Sequence, residues 1–140
     1  MSATLQPCLL AYHKHATSAL VRFLRLPWGV TLFDALPDGA RLLDGEPQVA
    51  PHSAAWAREL ARWLGLPGDA VSGEGEFRRR LLLPDGGERS VVLLQLAGID
   101  PPFAAAERRR GVFITLLEAR DLAAVELELL RASYEHLLGG

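Results

Sequence analysis

Two stretches constrain this chain more than any others: Val91-Val92-Leu93-Leu94 and Val112-Phe113-Ile114-Thr115-Leu116-Leu117. Neither alternates apolar with polar residues, so a strand built from either is wet on neither face. A sheet holding such strands needs helices against both of its sides. The expected class is therefore α/β (α+β), with a mixed, mostly antiparallel sheet of five strands between helices.

Glycine and proline divide the chain into short elements. A first helix is predicted from about His13 to Leu24, stopped by Pro27 and Gly29. Val30-Thr31-Leu32-Phe33 and Ala40 to Leu43 read as a hairpin about Leu36-Pro37-Asp38-Gly39. The second helix, Ser53 to Leu64, has Trp56, Leu60, Trp63 and Leu64 on one face, Ser53 as a candidate cap, Gly65 at its end and Pro67 beyond. Phe77 to Leu83 and Arg89 to Leu96 form a hairpin through Pro84-Asp85-Gly86-Gly87. The connection Gly98 to Arg110 holds a helical turn at Ala104 to Ala106, and Gly111 to Leu117 is the fifth strand. Asp121, as N-cap, opens a closing helix that ends at Gly139-Gly140. The expected order is α-β-β-α-β-β-β-α.

The closing helix carries two apolar stripes at about 100° per residue. Leu130, Tyr134, Leu137, Ala123 and Leu127 form one, and Leu122, Val125 and Leu129 the other, while Arg131, Glu128 and Glu135 face water. An arc this wide exceeds what one sheet contact consumes. One reading sets the second stripe against a partner, most simply a second copy of the chain, with Leu122, Val125, Leu129, Leu130, Tyr134 and Leu137 as contact residues. The other satisfies both stripes within the fold.

A length of 140 residues suits one domain. Residues 1–12 are expected as a loosely packed arm. The lone Cys8 forbids an intrachain disulfide framework and suggests a reducing compartment. Met1 to Leu10 lacks the pattern of a secretory signal, and no apolar run reaches the roughly 18 residues of a membrane span. A cytoplasmic location is expected. A net charge of −2 argues against an electrostatic nucleic-acid binder.

No motif names a chemistry, and no cofactor is expected. G-x-S-x-G, H-E-x-x-H, C-x-x-C and phosphate-loop spacings are absent, and Ser72-Gly73-Glu74-Gly75-Glu76 is too acidic to cradle phosphate. His13 and His15 stand two apart and lack a nearby thiol or carboxylate to complete a metal site. His52 and His136 have no sequence partner, and Cys8, among leucines, reads as a small buried hydrophobe. Arg78-Arg79-Arg80 and Arg108-Arg109-Arg110 are the densest positive groups. If their strands are neighbours, Arg78, Arg80, Arg108, Arg109 and Arg110 make one anion-binding rim; the alternative is a solvated edge paired with Glu74, Glu76, Glu88 and Glu107. Fourteen of the fifteen basic residues are arginine, which weakens the signal of any one cluster. Trp56 and Trp63 are core candidates by spacing, and Trp28 is a candidate anchor for a ligand or partner.

In element order and apolar pattern, Ser18 to Arg25, Trp28 to Leu43, Ser53 to Leu64, Phe77 to Leu117 and Asp121 to Leu138 resemble the roadblock/LC7 family. That resemblance implies a homodimeric regulatory module without catalytic residues, partnering a small GTPase. The chain is also similar to class I type III secretion chaperones, which are small α/β homodimers. The leading expectation is thus a non-enzymatic interaction module. The alternative is a small enzyme or ligand-binding domain whose pocket lies between Trp28 and the Pro101 loop, with His13, His15 or an arginine triplet as its polar group.

Overall fold

The computed structural model describes residues 6–49 and 51–139. In chain order its elements are β1 (Cys8–Lys14), β2 (Val21–Arg25), β3 (Arg41–Leu43), α1 (Ser53–Leu64), β4 (Val71–Gly73), β5 (Arg79–Leu82), β6 (Glu88–Leu96), α2 (Phe103–Glu107), β7 (Val112–Ile114), a 3-10 turn (Leu116–Ala119) and α3 (Ala124–Gly139). The sheet has seven strands in the order β3-β5-β6-β1-β2-β7, with β4 also on β6. Among the described residues only β1 and β6 run parallel; every other pairing is antiparallel. The nine residues of β6 are long enough to pair β5 along the first half and β4 along the last three residues.

Helices cover both faces, as the unalternating runs require. Successive side chains of a strand point to opposite sides. Leu9, Ala11, Val92, Leu94 and Leu96 therefore meet Ala57, Leu60, Ala61 and Leu64 of α1, with Ala105 and Ala106 of α2. Cys8, Leu10, Tyr12, Val91 and Leu93 meet Leu129 and Leu130 of α3 on the other side.

Several expectations are corrected. The region expected as a helix from His13 to Leu24 is the β1–β2 hairpin. Its turn uses no glycine: the His15 ring Nδ1 accepts from the Thr17 and Ser18 amides, and Ala19 takes a φ of 61°. The expected N-terminal arm is, from Cys8 onward, a fully buried inner strand, and residues 1–5 lie outside the described residues. Val30 to Phe33 is a run of bends rather than a strand, so β3 has no partner there and pairs β5. β4 lies in what reads as a Gly/Glu loop. The five-strand count and the order α-β-β-α-β-β-β-α give way to β-β-β-α-β-β-β-α-β-α.

The helix ends also differ. α1 has His52 at its N-cap without a side-chain cap, while Gly65 ends it at a φ of 71° as expected. Asp121 does not cap α3, which opens at Ala124; its carboxylate accepts from both terminal nitrogens of Arg25 at 2.8 and 2.9 Å. Those bonds hold the Asp121 carboxyl below the usual carboxylate range. The expected terminator extends to Gly140, which lies outside the described residues. The last strand stops at Ile114, because Glu118 Oε1 accepts the Thr115 amide at 2.8 Å and turns the chain into the 3-10 segment.

Candidate functional site

The end of α1 needs hydrogen-bond donors, since the last carbonyls of a helix have none within it. The segment after α2 supplies them. Arg108 Nη2 donates to the Leu64 carbonyl at 3.1 Å, and Arg109 Nε and Nη2 both donate to the Trp63 carbonyl at 3.0 and 2.8 Å. Cations at this end also complement the helix dipole. The Arg109 guanidinium then lies 4.5 Å from the centre of the Trp63 ring, a cation–π placement.

Phe33 meets the same indole edge-on, with centroids 5.3 Å apart and planes at 90°. Trp56 stands two turns before Trp63, on the same side of α1. Phe33, Trp56 and Trp63, with Glu59, Arg62 and Arg109, surround a cavity of about 480 Å³. All three side chains are half-buried and line the cavity. Arg62 and Glu59 form an exposed ion pair at 2.8 Å, worth little to stability.

Phe33 is held against its backbone preference. Its φ of 75° is left-handed, a region that costs a bulky residue on the order of 1–3 kcal/mol. Three tethers on the preceding loop enforce it. The Leu32 amide donates to the Leu9 carbonyl at 2.9 Å, the Val30 amide to Glu126 Oε1 at 2.7 Å, and Thr31 Oγ1 to the Asp34 carbonyl at 2.7 Å. Such outliers persist where surrounding structure over-determines them, and they cluster at binding sites.

The other candidate residues are dispersed. Leu129 and Leu130 are completely buried in the fold's own core and have no surface to offer a partner. Leu122, Val125, Tyr134 and Leu137 are half-buried beside them, so most of both stripes lies against the chain's own sheet. The arginine triplets do not form one rim: β5 and β7 are separated by β6, β1 and β2. Arg80 pairs Glu88 and the Asp44 carbonyl, and Arg78 reaches Glu46 at 4.0 Å. Arg108 and Arg109 serve α1, while Arg110 is exposed at a φ of 58°.

His13 is buried with its Nε2 2.8 Å from the Gly98 carbonyl, His15 builds the first turn, and His136 lies edge-on to Phe77. Burial pushes the Cys8 thiol up to about 12, which makes it inert. Among the described residues no group of three or more His, Cys, Asp or Glu could hold a metal ion, and no helix is long and apolar enough to cross a membrane.

The pocket expected between Trp28 and the Pro101 loop is divided in two. Trp28 lines a separate cavity with Arg25 and Asp121, to which the Pro101 loop contributes nothing. That loop instead delivers Arg109 to the α1 cavity. Sequence reasoning missed Phe33, Glu59 and Arg62 as site residues. Only the spacing of Trp56 and Trp63 pointed toward them.

The fold places the chain in a class, the α/β/α sandwiches built on a mixed sheet. No family model matches the chain, and no curated protein is significantly similar to it.

Proposed function

We propose that this chain is a ligand-binding domain that takes a small, flat, anionic molecule into the cavity at the end of α1. The observation that carries the reading is the convergence of three half-buried aromatic rings and two arginines on one space of about 480 Å³. That volume lies within the roughly 300–1,000 Å³ typical of small-molecule sites. Aromatic faces suit a planar ring, and a guanidinium suits a carboxylate, sulfonate or phosphate. Arg109 has donors beyond those given to Trp63, and its position is fixed before a ligand arrives. Among the described residues Glu59 is the cavity's only carboxylate, and it is paired with Arg62. Binding, rather than turnover, is what the geometry supports.

The test uses 8-anilinonaphthalene-1-sulfonate, an anion with a flat naphthalene ring, followed by tryptophan quenching and calorimetry. Saturable one-to-one binding is expected, weakened about tenfold or more by Trp63→Ala or Arg109→Gln and unchanged by Trp28→Phe. Binding that is unsaturable, or indifferent to both variants, overturns the proposal.

A further inference from the structure

The second cavity, on the other face of the sheet, has the opposite chemistry. It measures about 540 Å³ and is lined by Trp28, Arg25, Asp121, Leu122, Val125 and Glu126. Glu126 is the unusual member. It is only 8% exposed, yet among the described residues no salt bridge reaches it, and its one hydrogen bond is from the Val30 amide to Oε1. A carboxylate has about four acceptor sites, and a buried one is ordinarily paired. The nearby Arg25 bonds Asp121 through both terminal nitrogens, so Glu126 feels its charge without a direct ion pair.

The local backbone is shaped to admit that carboxylate. Gly29 has a φ of 141°, and a Cβ there would collide with Glu126 Oε1. Trp28 next to it is oriented rather than loose: its Nε1 donates to the Thr31 carbonyl at 2.7 Å, while 38% of the residue stays exposed. The cavity thus presents a fixed indole wall, a largely buried carboxylate with a single protein hydrogen bond, and the apolar side chains of Leu122 and Val125.

We infer that this cavity is a second binding site, for an organic cation: a primary ammonium or guanidinium on a short apolar stem. The cationic head meets the Glu126 carboxylate and the Trp28 ring, and the stem lies along Leu122 and Val125. The same head group occurs in free amines and in lysine or arginine side chains of a peptide. The site shares no lining residue with the α1 cavity and does not depend on the reading given for it.

The experiment titrates the full chain with agmatine and, in parallel, with the capped peptide acetyl-Gly-Arg-Gly-amide, reading tryptophan fluorescence and backbone amide NMR shifts. Saturable binding that moves the Val30 and Glu126 amides is expected, tighter for whichever source of the head group is native. Glu126→Gln keeps an acceptor for Val30 and the same shape, and Trp28→Leu keeps an apolar wall. Each should weaken binding about tenfold or more, with Trp63→Ala leaving it unchanged. Absence of saturable binding by both probes, or equal binding by the Glu126→Gln variant, overturns the inference.

Discussion

The two faces of the sheet are covered by helices of different character. α1 follows the amphipathic pattern closely: Ala57, Leu60, Ala61 and Leu64 are buried, while Arg58, Glu59 and Arg62 are exposed. The polar work on that face is done at its edge, where Arg108 and Arg109 donate to the helix's last carbonyls. α3 instead buries polar groups within its contact. Glu126 accepts from Val30, and Ser133 Oγ donates back to the Leu129 carbonyl at 2.8 Å. Each face thereby gains an aromatic cavity, arginine-bearing beside α1 and carboxylate-bearing beside α3. A single loop serves both, with Trp28 turned to one and Phe33 to the other. A two-sided sheet lets one short segment build two chemically opposite sites.

The comparison breaks most decisively at the core. Leu60 and Leu129 are both fully buried, one on each face. Truncating either to alanine should destabilise the chain by about 2–5 kcal/mol, read as a lowered urea midpoint. Comparable losses mean that both layers unfold together. A loss under about 1 kcal/mol for Leu129→Ala alone would make α3 a separately fraying layer.

A smaller effect isolates the buried polar group of the α3 face. Glu126→Ala leaves the Val30 amide without its acceptor, an expected loss of about 1–3 kcal/mol. Glu126→Gln retains an acceptor and should lose markedly less. Equal losses would mean that charge, rather than the hydrogen bond, holds the Val30 loop.

How much of this was readable in advance follows from which forces are local. α1 was legible to the residue at its C-terminus, because its apolar period and Gly65 with Pro67 agree. The β5–β6 hairpin was legible from Pro84-Asp85-Gly86-Gly87, and its observed closure is a Leu83 amide to Gly87 carbonyl bond of 2.7 Å. The two-sided sheet followed from Val91 to Leu94. β1 was missed because a short apolar run has no period of its own, and its turn is made by a histidine ring and a left-handed alanine rather than by glycine. β4 was missed because it is three residues that exist only through pairing with β6. In the α1 cavity, Trp56 and Trp63 were visible by spacing and Arg109 as part of a triplet. Phe33 was not, since its placement depends on tethers from Leu9 and Glu126, distant in sequence.

Titration probes the α3 face again. The Tyr12 hydroxyl donates to Glu74 Oε2 at 3.0 Å, and burial, followed by the Glu74 charge, raises its ionisation above the ordinary phenol value. A raised value in the folded state favours the neutral phenol. The contribution is therefore full below about pH 10 and is lost as pH climbs from there toward the folded value. The stability gap between the natural chain and Tyr12→Phe should narrow as pH rises above about 10, measured by urea midpoints. A gap that stays constant would assign the alkaline loss to another group.

The smallest effect compares two left-handed residues that differ in what surrounds them. Ala19, at a φ of 61°, is exposed in the first turn, whereas Phe33, at 75°, is half-buried against Trp63. Glycine relieves the backbone strain at either position. At Ala19 nothing else is lost, so Ala19→Gly should stabilise the chain by about 0.5–1 kcal/mol after the added freedom of the unfolded state. At Phe33 the same relief comes with removal of a ring packed edge-on to an indole, so Phe33→Gly should be net destabilising. Thermal midpoints of the two variants give opposite signs if the left-handed phenylalanine is kept for its ring. Stabilisation by both would reduce Phe33 to an ordinary loop residue, and the α1 cavity would lose its one strained wall.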